Sequence, residues 1–409
     1  MRILYLSQYF PPEVGATQSR AIEMASNLVK LGHTVTVITE MPNHPLGITH
    51  PDYRGKLFLR EWLEGIEVIR IWVYTSRTKT FATRMLFYLS YAVNAILAGI
   101  FSTRSGYDLV YASSPPLFVG GAGMLLSILK SIPMVFEIRD LWPESAVELG
   151  ELNNPTAIKL STLLEESCYH RARAIITVTA GIRRKLIDRG FNAEKIHLIP
   201  NGANTSLFTY RDSGRRDVRK QFALNSEFLI LYAGIFGIAQ GLETLVEAAW
   251  RLRSEENIKF LLVGEGPTKS EITDLAHQYH LSNIILHPQV PRSDIPDFFS
   301  AADISIIPLR KIELFKGALP SKMFDSWSCE CPVLLCVDGE AREILESANG
   351  GIYIPPEDAE ILAAVVTKLY HDPSRLSEFG MNGRRFTERY YSREALAKKL
   401  TRLLQSVIN

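Results

Sequence analysis

The sequence predicts an α/β chain of two doubly wound, Rossmann-like domains, each a mostly parallel sheet with helices on both faces. Three observations carry this. Short runs of Val, Ile and Leu alternate with helical patterns along most of the chain, as βαβ units require. The 409 residues exceed what one ordinary core supports, and two domains of about 200 residues follow. The alternation halts at Pro200-Asn201-Gly202 and starts afresh at Phe228.

In the first half the strand candidates are Arg2–Ser7, Thr34–Thr39, Ile66–Trp72, Leu109–Ser113, Met134–Ile138, Ala174–Val178 and Ile196–Ile199. Several are apolar throughout, as strands covered on both faces are. The second half offers Phe228–Ala233, Lys259–Val263, Ile284–His287, Ile304–Ile307, Val333–Cys336 and Ile352–Ile354. Pro200-Asn201-Gly202 and the polar stretch around Tyr210–Arg219 that follows, turn residues plus charge, together read as the linker. Expected domains are therefore 1–204 and 205–385, with a last segment, 386–409, that packs back on the first. Within it Leu396, Leu400, Leu403 and Val407 share one helical face. That face suits either a crossover or a plain terminal helix of the second domain. No short repeat of the solenoid kind is present.

Hydrophobic residues at 46% and charged residues at 22% describe a globular chain, not a disordered one. A net charge of +1 argues against general nucleic-acid binding. The first 200 residues hold 21 Lys and Arg against 17 Asp and Glu, and the rest 24 against 27. A mildly basic first half suits a surface facing anionic lipid or phosphate. Cys168, Cys329, Cys331 and Cys336 form neither a disulfide framework nor a zinc or redox spacing. They read as core residues of a protein in reducing cytosol. The N-terminus, broken by Pro11-Pro12, has no signal-peptide pattern.

From Met85 to Phe101 no residue is charged, and Arg84 and Arg104 flank the stretch. A core helix, an interfacial helix and a membrane span all fit, although the run falls short of the roughly 20 residues a span needs. The apolar run Leu117–Ile132 that follows favours a surface that dips into a bilayer.

Four segments could carry chemistry. The first loop, Pro11-Pro12-Glu13-Val14-Gly15-Ala16, leads into a helix from about Gln18; its glycine permits close backbone approach to an anion at a helix N-terminus. A tight strand-to-helix turn needs a glycine equally. The loop is not GxGxxG, which disfavours a dinucleotide-binding dehydrogenase. Next, Glu137-Ile138-Arg139-Asp140-Leu141-Trp142-Pro143-Glu144 ends an apolar strand and places Arg139 and Asp140 at the carboxyl edge of the sheet. A structural Arg–Asp pair is the plain alternative. In the second domain, Lys316-Gly317-Ala318-Leu319-Pro320-Ser321-Lys322 leads into a helix, with Ser321 a candidate cap. Two lysines and a helix N-terminus suit a diphosphate, and Asp325 one turn on suits a pair of ribose hydroxyls. A solvated face would also explain the lysines. Lastly, Gly234 and Gly237 follow one strand and Gly264 another, where backbone groups could cradle a nucleotide. The histidines, among them His44, His50, His170, His197, His277, His280 and His287, show no metal-ligand spacing, and HExxH, DxD and GxSxG are absent.

Together these segments resemble glycosyltransferase family 4, the group 1 enzymes of the GT-B fold. The likeness rests on YFPPEVGATQSR, LGHTVTVIT and FEIRDLWPES in the first half. In the second it rests on ILYAGIFGIAQGLETLVEAA, LLVGEGP, AADISIIPL and LPSKMFDSWSCECPVL. KGALPSKMFD with RDLWPES is most similar to the fucosamine-transferase-like branch of bacterial O-antigen and capsule assembly. The resemblance implies two domains facing across a deep cleft, with a C-terminal crossover helix. It also implies retaining transfer from a UDP-sugar, an N-acetylated or deoxy amino sugar, to a lipid-linked polyprenyl diphosphate glycan. Neither metal nor cofactor is required, and the enzyme sits on the inner face of the bacterial cytoplasmic membrane.

On the same basis the donor meets Gly15, Gly234, Gly237, Gly264, Lys316, Gly317, Ala318, Ser321, Lys322 and Asp325, while Asp140, Arg139 and Glu13 serve catalysis. Three departures stand out. Gly317 and Asp325 occupy the places of the family's paired glutamates. Arg139 replaces a common histidine, and Ile235 and Gln240 replace a basic pair. A catalytically inactive membrane-docked partner subunit and a nucleotide-sugar epimerase are the alternative readings.

Overall fold

The computed structural model describes residues 1–13, 15–43, 47–78, 80–103, 106–148 and 152–408. The chain forms two compact units, Met1–Pro200 with Leu396–Asn409, and Asn201–Ala395. The first is built on β1 (Arg2–Ser7), β2 (Thr34–Glu40), β3 (Phe58–Leu63), β4 (Ile66–Ile71), β5 (Leu109–Ser113), β6 (Met134–Ile138), β7 (Ala174–Thr177) and β8 (Ile196–Leu198). These lie in the order β3-β4-β2-β1-β5-β6-β7-β8. Only β3 with β4 pairs antiparallel.

Both faces are covered, which is why the central strands are nearly continuous apolar runs. On one face Leu4, Leu6, Ile38, Ile69 and Phe136 pack with Tyr91 and Ala95 of the helix Phe81–Phe101 and with Val119 and Leu126 of the helix Leu117–Leu129. On the other, Ile3, Tyr5, Val37 and Tyr111 meet Met24 and Leu28 of the helix Ala16–Lys30. The same layer holds Leu396, Ala397, Leu400, Leu404 and Val407 of the helix Arg393–Ile408. The final helix therefore crosses back to the first domain. Leu404, not Leu403, is its fully buried member.

The second unit holds β9 (Phe228–Ala233), β10 (Ile258–Val263), β11 (Ile284–His287), β12 (Ile304–Pro308), β13 (Val333–Cys336) and β14 (Gly351–Tyr353). They run in the order β11-β10-β9-β12-β13-β14, all parallel. Each sheet thus winds outward from its first strand. The order reverses between β1 and β5 in one domain and between β9 and β12 in the other. Loops at the carboxyl ends of such strand pairs diverge and leave a crevice for ligand.

Two sequence expectations need correction. The units divide at Pro200 and Asn201, within the expected linker, but its polar part Tyr210–Arg219 is no linker: Asp212–Gln221 is a helix. Arg211 pairs with Asp297 at 3.2 Å, and Arg215 and Arg219 share Asp303 at 3.1 and 2.7 Å. Arginines four apart hold a polar helix to the domain where apolar residues are scarce. The strand β3 is absent from the sequence reading, because Arg60 and Glu61 interrupt its apolar pattern. It is an exposed edge, and both charges pair across to β4, Arg60 with Glu67 at 3.0 Å and Glu61 with Arg70 at 2.5 Å. Glu64 and Gly65, both at positive φ, supply the tight turn.

The uncharged segment is a helix, Phe81–Phe101, capped by the Thr80 hydroxyl, which accepts from Thr83 N. Tyr91, Ala95 and Ala98 face the sheet, and Gly99 packs against Leu126 of the neighbouring helix. Leu86, Leu89, Val93, Leu97 and Ile100 form an exposed outer stripe. Among the described residues it is the one helix long and apolar enough to cross a membrane. Arg104 and His44 lie outside the described residues.

Candidate functional site

In the second domain the loops after β9 and β10 are joined beyond the strand ends. Gly234 N donates to Val263 O at 2.9 Å, Phe236 N to Glu265 O at 2.9 Å, and Thr268 N to Phe236 O at 3.0 Å. The approach is close enough to demand glycine. A Cβ on Gly264 would overlap Gly234 O, and one on Gly266 would overlap the Phe236 backbone. Gly237 opens a single turn, Ile238–Gln240, and a Cβ there would meet Gln240 Oε1 at 2.5 Å.

The loop after β12 is strapped to the same platform by Arg310. Its N donates to Ala239 O at 2.9 Å and its Nε to Ile238 O at 2.7 Å. Its guanidinium pairs with Glu243 at 2.5 Å and Glu357 at 3.0 Å. The chain then runs through Glu313–Gly317 to the helix Ser321–Ser328. The β9 and β12 loops and the start of this helix thus converge at the reversal point.

The sequence-chosen residues fall out unequally. Lys322, partly buried, places Nζ 4.6 Å from the centroid of the Tyr232 ring and beside Gly234. Burial pushes its pKa down from 10.5 to about 8, against the pull of Asp325. Asp325 lies one turn further along the same helix, partly buried. Lys316 is exposed and pairs with Glu313 at 2.9 Å, which raises its pKa. Gly317 stands in open space, where a Cβ would meet nothing within 4 Å. No side chain of that residue reaches for a sugar. Ala318 N donates to Phe315 O at 2.9 Å. Ser321 is the first helical residue and not the cap; Pro320 holds the cap position without a side-chain hydrogen bond. Met323 N donates to Pro320 O at 3.2 Å; the first N–H groups of a helix, without intrahelical partners, can meet an anion.

In the first domain Gly15 precedes the helix Ala16–Lys30, and its carbonyl accepts from Ser19 N at 3.0 Å. Glu13 is buried, with Oε1 accepting from Asn43 N at 2.7 Å. Asn43 Nδ2 also donates to Glu40 Oε1, and Gln8 Nε2 to Glu40 Oε2, both at 2.8 Å. Burial, then the neighbouring Glu13, lifts the Glu40 carboxyl well above its ordinary pKa. Two carboxyls therefore stand behind the loop after β1. The sequence pattern missed Gln8, Glu40 and Asn43, because they come from the ends of two strands, β1 and β2, that only the fold unites.

Arg139 and Asp140 lie at the carboxyl end of β6, partly buried and exposed respectively. Ser145 Oγ donates to Asp140 Oδ2 at 3.1 Å. Glu137, grouped with them in sequence, belongs elsewhere. Arg20 binds its Oε2 through Nε at 3.1 Å and NH2 at 2.7 Å, and Tyr111 and Ser113 also donate to it. Burial alone would raise Glu137, but the Arg20 guanidinium and these donors bring it to about 2. It is a structural anion, and Ile138 faces the opposite apolar layer. A cavity of about 230 Å³ lies elsewhere on the first domain, beside the loops after β1, β2 and β4; Tyr9, Asn43, Thr75, Arg84 and Tyr88 are among its lining, and Arg139 and Asp140 are not. Among the described residues no group of three His, Cys, Asp or Glu could hold a metal.

Residues 15–202 match the family model described as glycosyl transferase 4-like domain, and residues 214–386 that described as glycosyl transferases group 1. The chain is 27% identical over 373 residues to the putative colanic acid biosynthesis glycosyl transferase WcaI of Escherichia coli, spanning 89% of this chain and 91% of that one. It is 24% identical over 389 residues to the putative teichuronic acid biosynthesis glycosyltransferase TuaC of Bacillus subtilis, spanning 91% and 90%. Among solved structures, the sucrose-phosphate synthase of Thermosynechococcus elongatus superposes with a TM-score of 0.74 at 20% identity, over 99% of this chain and 98% of that one. Anabaena HepE in complex with UDP-glucose gives a TM-score of 0.71 at 16% identity, over 99% and 100%.

Proposed function

We propose that this chain, which is a glycosyltransferase of the GT-B fold related to the 4-like and group 1 families, transfers a sugar from a UDP-sugar to a lipid-linked glycan, with retention of configuration and without a metal. The donor is an N-acetylated or deoxy amino sugar, as in the fucosamine-transferase-like branch. The observation that carries the reading is the meeting of two glycine-bearing loops and a helix N-terminus at the β9/β12 reversal, with Lys322 turned into it. Exposed N–H groups and a cation there match a diphosphate. The UDP-bound state of HepE and the surface-polysaccharide names of WcaI and TuaC agree with it.

In the reaction the sugar leaves a diphosphate whose growing charge is met by the Ser321 end of the helix and by Lys322. Lys316 exchanges Glu313, a surface partner worth little, for phosphate. Asp325 accepts from the ribose hydroxyls. The departing phosphate takes the proton of the acceptor hydroxyl on the same face of the sugar. Arg139 and Asp140, with Glu13 behind the first loop, orient the acceptor. The outer stripe of the Phe81–Phe101 helix lies in the headgroup region of the cytoplasmic membrane's inner face, where a lipid-linked acceptor is presented.

A panel of UDP-sugars with a short polyprenyl-diphosphate glycan tests this, reading acceptor-dependent release of UDP and, by NMR, the anomeric configuration of the product. Sugar conversion without acceptor would identify an epimerase instead. Inversion at the anomeric carbon would refute the mechanism but not the activity.

A further inference from the structure

Lys322 sits in the first turn of its helix, where the helix's positive end disfavours a cation. A lysine serving only solubility would extend into water. This one turns inward. Its Nζ lies 4.6 Å from the Tyr232 ring centroid and 3.4 Å from the Tyr232 hydroxyl oxygen. That hydroxyl donates its proton to Ile235 O at 2.5 Å, so it presents a lone pair to the ammonium. Beside it, a Cβ on Gly234 would overlap both Nζ and Cε of Lys322. A side chain at position 234 would therefore have to displace the ammonium end of the lysine.

We propose that Tyr232 and Gly234 form a positioning socket, in which the ring, the phenolic oxygen and the absent Cβ hold the Lys322 ammonium under the β9 loop as the contact for the β-phosphate of a nucleoside diphosphate. This rests on the donor reading above and adds the residues that act through Lys322. Tyr232 is the buried last-but-one residue of the central strand and touches Phe236 edge-on at 5.8 Å, so the ring is fixed by the core. An aromatic face stabilises an ammonium that is only partly hydrated. Two titratable groups face the lysine. Asp325, on its own helix, favours the charged form, while Tyr232, on β9, is kept neutral because burial raises its pKa. With the ammonium held near pH 8 in the free protein, an arriving diphosphate raises the lysine's pKa, and the lysine takes up a proton from solvent on binding.

Isothermal titration of UDP and UMP against the full chain tests the socket. The variants are Tyr232→Leu, Tyr232→Phe and Gly234→Ala, alone and combined with Lys322→Ala, at pH 7 and 9. Tyr232→Leu and Gly234→Ala should each weaken UDP about tenfold, leave UMP unchanged, and have no further effect once Lys322 is gone. Tyr232→Phe, which keeps the ring and the packing, should weaken UDP by a smaller factor; it carries the test if the leucine variant does not fold. Wild-type affinity for UDP should fall between pH 7 and 9, and Lys322→Arg should abolish that fall, because arginine stays charged. Equal losses with and without Lys322, or parallel loss of UMP, would overturn the socket. Wild-type protein that binds no UDP would sink the donor reading itself, whereas unaltered UDP affinity in all three variants sinks only the socket.

Discussion

Replacing Lys322 by methionine should stabilise the ligand-free second domain while weakening its response to UDP. Burial lowers the ammonium from 10.5 to about 8. A pKa lower by one corresponds to about 1.36 kcal/mol, so the charged form carries a penalty of about 3 kcal/mol. The side chain still reaches solvent in part and has the Tyr232 ring beneath it, so about 1–2 kcal/mol remains to be recovered. Methionine has similar length and no charge to desolvate. For a domain of this size about 2–4 °C in Tm corresponds to each kcal/mol, giving a rise of about 2–8 °C.

The sign fixes the pH window. A base whose folded pKa lies below its unfolded one destabilises fully below the folded value, and the effect fades as pH rises towards 10.5. The variant's advantage should therefore be largest near pH 7 and shrink by pH 10. Thermal denaturation followed by circular dichroism, with and without millimolar UDP, reads both effects. Wild-type Tm should rise with UDP, and that of Lys322→Met should rise by clearly less at the same concentration. A variant less stable than wild type at pH 7, or one that keeps the full UDP response, would refute the reasoning.

Other expectations follow from the same structure. Glu137→Gln strands Arg20 in the core and should cost about 3–5 kcal/mol by urea titration. Because the Glu137 carboxyl is depressed to about 2, its contribution is present above pH 4.5 and lost towards pH 2, so acid should narrow the gap between variant and wild type. Gly264→Ala forces the β10 loop away from Gly234 O; a loss of about 1–3 kcal/mol and weaker UDP binding are expected in the same denaturation and calorimetric assays. Leu86→Glu with Leu97→Glu alters exposed positions only, so Tm should hold while partition onto anionic vesicles falls at least about tenfold in co-sedimentation. Undiminished partition would remove the interfacial role of that helix.

The strands that matter could be read because burial on both faces leaves little choice of residue. β1, β5, β6, β9 and β12 are legible as apolar runs to within a residue. The glycines of the β9 and β10 loops stood out because they follow apolar runs directly, and Lys322 because Pro320 marks a helix start. Tyr232 and Arg310 were not. A tyrosine inside an apolar strand looks like any core aromatic, and an arginine after a strand looks like surface. Their roles depend on partners ninety and seventy residues away in sequence. Glu137 misled for the converse reason. Its neighbours in sequence are the residues proposed for the site, but strand alternation turns it to Arg20, 117 residues away. The Asp212–Gln221 helix was hidden because ion pairs, not an apolar stripe, fasten it.

The return of the last helix to the first domain has a consequence during synthesis. Leu396, Ala397, Leu400 and Leu404 fill an apolar layer laid down by Ile3, Tyr5, Met24 and Leu28. At about 5–20 residues per second, the intervening second domain, Asn201–Ala395, takes about 10–40 s to emerge. For that interval the amino-terminal sheet waits with a bare greasy trough, so a fragment ending near residue 390 should be a substrate for chaperones although it contains every residue assigned to the chemistry.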